Sequence, residues 1–237
     1  YTRTLVTYGP EFIDRLGPAL ELGRSFIRPE YQKSYVPLML LWKGIGRFLV
    51  LHPQYRRLFG PVSISDAYRP LSRHLMARFL STHCADRDLA GLVRPVTPFR
   101  SWKRFPSDQR VFDAVIRSID DLSDLIADIE PEGKAVPVLL RHYLKLGGRI
   151  AGFNVDRAFG NALDGLIVVD LDRTDRKVLE RYLGRDGTDS FLRFRQKPTT
   201  DRTFVSAQGT YHRTPVDASD PRGHPLPEHA SRQGVRF

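Results

Sequence analysis

The chain has 237 residues, a length for one or two domains, and 41% of them are hydrophobic, enough for one sizeable core. Its one cysteine, Cys84, excludes an internal disulfide framework, suits a reducing cytoplasm and has no neighbours at metal-ligand spacing. The formal charge of +10 favours an anionic partner. No zinc-finger spacing, aromatic RNA-binding stretch or concentrated basic run is present, which sets nucleic acid aside and leaves an anionic membrane surface or an acidic protein.

The chain begins without Met or a signal peptide, and residues 1–7 read as a strand already under way. The expectation is that residues of the same domain precede it. Phe12, Ile13 and Leu16 give a short helical stretch closed by Gly17 and Pro18, and residues 19–27 read as a strand stopped by Pro29. A very apolar helix follows over 35–53, opened by Pro37 and closed by Pro53. Lys43 and Arg47 near its middle argue against a membrane span. Being four apart they share a face, which reads as the wet stripe of a core helix or as a membrane-surface contact. Gly44 and Gly46 lie inside this helix, so their spacing signals close packing and no dinucleotide loop.

Residues 58–65 read as a strand and 71–82 as an amphipathic helix carrying Leu71, Leu75, Met76 and Phe79. The Arg-, Pro- and Phe-rich stretch 85–111 reads as an irregular insertion. Helices are expected over 111–129, 137–146 and 176–183, and strands over 149–154 and 163–171. Residues 195–237 lack apolar periodicity and read as a disordered tail after a domain spanning 1–194. There is no internal repeat, and the element order indicates α+β or α/β. His83 and Asp88 match the His-x4-Asp pattern of glycerol-phosphate acyltransferases, but that pattern's second phosphate-binding block is absent, so the match reads as chance.

Three blocks together resemble a known family: residues 19–32 (Ala19 to Gln32), 40–47 (Leu40 to Arg47) and 58–65 (Leu58 to Ser65). The blocks at 139–148, 152–156 and 162–171 continue the likeness. The chain is similar over 1–194 to the ornithine-lipid, or hemolysin-like, type of acyl-carrier-protein-dependent N-acyltransferase of the GNAT class. Its Glu21-x-x-Arg24 strand also resembles that of acyl-homoserine-lactone synthases. The family's N-terminal strand-helix region has no counterpart here. The resemblance implies an α+β, GNAT-like mixed sheet flanked by helices and incomplete at the N-terminus. In that fold the fourth strand splays from the fifth, the acyl thioester lies in the gap, and the following helix start holds donor phosphate. The acetyl-CoA form of that loop is glycine-rich, whereas residues 28–37 contain no glycine. A donor with one phosphodiester fits better: acyl-phosphopantetheine on acyl carrier protein in preference to acyl-CoA, with Arg28 and Lys33 supplying charge.

The resemblance further assigns Glu21 as the carboxylate that takes the acceptor's proton, against the plainer reading of a structural pair with Arg24. Arg24 anchors that neighbourhood or an acceptor carboxylate. Ser63 and Ser65 bond the pantetheine amides or cap the next helix, and Tyr68 protonates the leaving thiolate or packs at the helix start. No bound cofactor or metal is expected. The implied function is transfer of a long-chain 3-hydroxyacyl group from acyl carrier protein to an amine acceptor, ornithine, by a cytoplasmic enzyme peripheral to the inner membrane. The alternatives are an accessory module of a glycerolipid O-acyltransferase and a non-catalytic carrier- or membrane-binding module.

Overall fold

The computed structural model describes residues 1–23, 25, 27–31, 34–100, 112 and 114–194. Arg24, Lys33, most of the expected insertion's end at 101–111 and the expected tail at 195–237 lie outside them. The described part is α+β, a four-stranded mixed sheet with helices on one face and a small second sheet on the other.

The main sheet runs in the order β2 (Ala19–Glu21), β3 (Arg57–Ile64), β6 (Ala162–Asp170), β5 (Arg149–Asp156). β2 and β3 are parallel, while β6 is antiparallel to both β3 and β5. The parallel pair needs a crossover, which α2 (Val36–Leu51) provides. The β5–β6 hairpin closes through Gly160 and Asn161, both at positive φ. β6 is central and buried along nearly its whole length, which explains its near-continuous apolar run.

Leu58, Val62, Ile64, Leu163, Ile167 and Ile150 point to one face and pack against the helices. These are α2, α3 (Pro70–His83), α4 (Ile119–Ile129), α5 (Val138–Lys145), α6 (Arg176–Leu183) and α7 (Arg185–Arg193). The opposite face carries Phe59, Leu166, Val168 and Ala151. It is covered by β1 (Val6–Tyr8), its antiparallel partner β4 (Val93–Pro95) and α1 (Phe12–Leu16), through Val6, Phe12, Leu16 and Val93. Among the described residues no helix is long and apolar enough to cross a membrane.

Five expectations need correction. The strand expected over 1–7 begins only at Val6, because Thr2–Thr4 turn through a short 3-10 helix. The strand expected over 19–27 stops at Glu21, because beyond it the chain leaves its partner β3. The stretch expected to be irregular contains β4, held by its ladder to β1. The helix expected over 111–129 is interrupted: Phe112, Ala114 and Val115 are helical, but α4 starts afresh with a Ser118–Asp121 capping box. Finally, Gly184 (φ 75°) ends α6 but opens α7, a helix the sequence reading lacks. The helix propensity of Arg185 to Ser190 is poor, and α7 is held by burial of Thr188 and Phe191.

Candidate functional site

β2 and β3 pair over three positions only, Ala19 with Arg57, Leu20 with Leu58 and Glu21 with Phe59. A last bond runs from the Leu22 N–H to the Phe59 carbonyl (2.7 Å). Among the described residues β3 then continues to Ile64 bound to β6 alone, so a gap opens between it and Gly23 and Ser25. Gly60 sits where the two chains part. A Cβ there would run into the Leu22 carbonyl, so only glycine permits this approach. Phe59 faces β2, and by alternation Pro61 and Ser63 direct their backbone into the gap. Proline has no N–H to lose on that edge.

Below the gap, on the helix-covered face, lies an apolar cavity of ≈ 30 Å³. Leu22, Ser25 and Ile27 line it from the departing segment, Leu38, Leu41, Trp42 and Ile45 from α2, and Leu139 and Tyr143 from α5. These residues explain the false strand extension: their apolar pattern serves a cavity wall in place of a ladder. Trp42 packs 4.5 Å from His142 and 5.3 Å from Tyr143, ring centre to ring centre. Burial, with Arg181 and Lys145 nearby, pushes the His142 pKa down to about 4, so its ring is neutral near pH 7. Gly46 brings α2 against the end of α6: a Cβ there would lie 2.5 Å from the Tyr182 carbonyl oxygen. Gly44 has nothing within 4 Å. The close-packing reading therefore holds for the second glycine and not the first.

On the other face Glu21 stands at the start of the gap. Its carboxylate accepts hydrogen bonds from the Thr2 N–H (2.7 Å) and the Tyr1 nitrogen (2.9 Å). A carboxylate at this position is a group that can accept a proton. Further along the same face a buried polar row crosses three strands in register: Ser63, Asp164 and Asn154. The Ser63 hydroxyl donates to Asp164. Asn154 Oδ1 accepts from the Thr97 N–H (2.7 Å), and Asp156 accepts a long bond from the Tyr1 hydroxyl (3.4 Å). Tyr1 therefore touches both Glu21 and Asp156.

The residues singled out in the sequence are dispersed. Glu21 and Ser63 lie on one face of the sheet, at the two ends of the gap. Ser65 is past the strand, where its hydroxyl accepts from the Ala67 N–H (3.1 Å) in a turn. Tyr68 is buried on the helix side. Its hydroxyl donates to the Ala135 carbonyl (2.6 Å), the Lys134 ammonium lies 3.8 Å over its ring, and burial followed by the Glu130 charge raises its pKa to about 12. Arg28 is exposed and pairs with Glu30 before α2, whose first N–H at Val36 is received by the Ser34 hydroxyl (3.2 Å). Arg24 and Lys33 are outside the described residues. Sequence reasoning missed Asp164, Asn154 and Asp156. Their signal was polar side chains inside runs that otherwise read as strands.

No family model matches the chain, and no solved structure matches it. Curated relatives are distant. It is 28% identical over 182 residues to a glycine N(alpha)-acyltransferase of Bacteroides thetaiotaomicron, covering 72% of this chain and 52% of the relative. A protein of the same name from Phocaeicola vulgatus is 27% identical over 161 residues, 63% and 48% of the two chains. An L-ornithine N(alpha)-acyltransferase of Rhodobacter capsulatus is 28% identical over 167 residues, 70% and 56%. The chain thus spans about half the length of the curated relatives it matches, and those relatives are N-acyltransferases by name.

Proposed function

We propose, from this distant kinship with amino-acid N-acyltransferases, that the chain carries the acyl-donor half of such an enzyme. It moves a long-chain 3-hydroxyacyl group from acyl carrier protein to the α-amine of ornithine, in membrane lipid synthesis. The observation that carries the reading is the parting of β2 from β3 above an apolar cavity and beside the Glu21 carboxylate. The pantetheine arm enters the gap as an added strand, bonding the free edge of β3, and the thioester carbons face the apolar lining below it, a space of ≈ 30 Å³ that must widen to take a long chain. The glycine-free loop supports a donor with one phosphodiester, received near Arg28, which exchanges its bond to Glu30 for the phosphate.

In the reaction Glu21 takes a proton from the attacking amine. The nitrogen bonds to the thioester carbon, the C–S bond breaks, and the sulfur departs with the bonding pair. A thiolate is a far better leaving group than an alkoxide, so the sulfur can depart without prior protonation. Tyr68 would have to break its bond to Ala135 to protonate that sulfur, so the proposal gives it a packing role. The buried Asp164 and Asp156 on the Glu21 face favour an acceptor with a second cationic amine, hence ornithine over glycine.

The test is incubation of the purified protein with 3-hydroxypalmitoyl carrier protein and either ornithine or glycine, with N-acyl product read by mass spectrometry. Ornithine-dependent product is expected. Glu21→Gln should lower kcat by roughly 100-fold or more while donor binding persists. Product with glycine alone would overturn the acceptor, and unchanged turnover in E21Q would overturn the base. Carrier binding with an intact thioester would instead favour a binding module.

A further inference from the structure

Helix α2 has a second side that the acyl-transfer reading does not use. Val36, Leu40, Lys43, Arg47 and Leu51 follow one another at spacings of four, three, four and four, which places them within an arc of roughly 80°. All five are exposed, and the aliphatic ones heavily so: Val36 61%, Leu40 61% and Leu51 60%. The stripe runs for about 22 Å. α2 contains no acidic residue, and neither Lys43 nor Arg47 has an ion-pair partner among the described residues. Tyr31 and Tyr35, both exposed, stand at its N-terminal end.

The wet stripe of an ordinary core helix is polar. This one sets three large aliphatic side chains on either side of two cations that have no ion-pair partner among the described residues. We propose that it is the face by which the protein lies on an anionic lipid surface. Val36, Leu40 and Leu51 enter the acyl boundary, Lys43 and Arg47 remain at the level of the lipid phosphates, and the two tyrosines sit among the headgroups. Charge decides the occupant's sign, and the length of the stripe, with aliphatic side chains at both ends and the cations between, favours a plane over a compact protein contact. The opposite side of the same helix, at Leu38, Leu41 and Ile45, lines the apolar cavity. On the proposed acyl-transfer reading, the acylated product is therefore made one helix away from the bilayer. The surface itself does not depend on that reading.

The experiment is co-sedimentation of the 237-residue protein with vesicles of equal parts phosphatidylglycerol and phosphatidylcholine, against phosphatidylcholine alone, without donor or acceptor. Failure of acyl transfer would leave the result unaffected. Binding to the anionic vesicles only, weakening with salt, is expected. Lys43→Glu with Arg47→Glu should weaken it by about 25-fold or more, at about fivefold for each charge removed. Val36→Ser with Leu40→Ser should weaken it about tenfold. All four side chains are exposed, so both variants should keep the parent melting curve. No binding to anionic vesicles, or binding that neither variant reduces, would overturn the proposal. So would a protein without vesicle affinity whose variants lose binding to an acidic carrier protein or lose self-association, since the face would then be a protein contact.

Discussion

Two glycines two residues apart in α2 should respond to the same substitution with opposite signs. Alanine in place of exposed Gly44 meets nothing within 4 Å and gains helix propensity, so Gly44→Ala should stabilise by about 0.5–1 kcal/mol. Gly46→Ala gains the same propensity but puts its methyl carbon 2.5 Å from the Tyr182 carbonyl oxygen and 2.9 Å from its carbon. Both obstacles are backbone, which no rotamer change removes. α2 must retreat from the end of α6 by about half an ångström or more, at an overpacking cost of roughly 1–3 kcal/mol. Because the propensity gain cancels between the two variants, that steric cost is their difference. For a domain of this size it corresponds to a gap in Tm of roughly 2–12 °C. Urea unfolding followed by circular dichroism measures both, with equal slopes as the check that only stability has changed. Equal stabilities for the two variants would refute the close contact between α2 and α6.

Other outcomes follow from the same geometry. Gly60→Ala should destabilise by about 2–4 kcal/mol in urea titrations, since the Leu22 carbonyl must move and its N–H bond to Phe59 is strained. Tyr68→Phe should lose about 1 kcal/mol of stability through the orphaned Ala135 carbonyl, while product formation stays within a few-fold of the parent. His142 is held neutral, its folded pKa of about 4 lying below an unfolded value of about 6.5. Its contribution is therefore complete above the unfolded value and is lost as pH falls from about 6.5 toward 4, by roughly 3 kcal/mol in all. His142→Leu should flatten that part of the stability profile.

Much of the scaffold was legible because local signals agreed with tertiary demands. Pro37 and Pro53 bracket α2, and the apolar runs at 58–65 and 163–171 became β3 and β6 almost as read. Three of the misreadings share a cause. Leu22 and Ile27 carry strand-like residues whose partner is a cavity and not a ladder. Val93 to Pro95 look irregular until β1 supplies the pairing, and α7 lacks propensity but is fixed by Phe191 in the core. In each case the deciding contact is distant in sequence. The site divided in the same way. Glu21 was singled out through the family resemblance of its Glu21-x-x-Arg24 strand, whereas Asp164 matters through Ser63 and Asn154, which come level with it only after three strands align.

Pro61 governs how the seam between β2 and β3 behaves when it is empty. Two parallel strands that part in mid-sheet ordinarily tend to zip further, since each added backbone bond contributes about 1 kcal/mol. An arriving ligand would then have to peel them apart. With no N–H on the edge facing the departing segment, Pro61 withholds a bond from that closure, and β3 holds its free edge ajar in the resting protein. On the proposed reading the carrier's arm enters a slot already open, which lowers the reorganisation cost of binding. Discrimination between donors then moves from the common arm to the part that differs among them, the acyl chain, whose first carbons meet the apolar residues of α2 and α5.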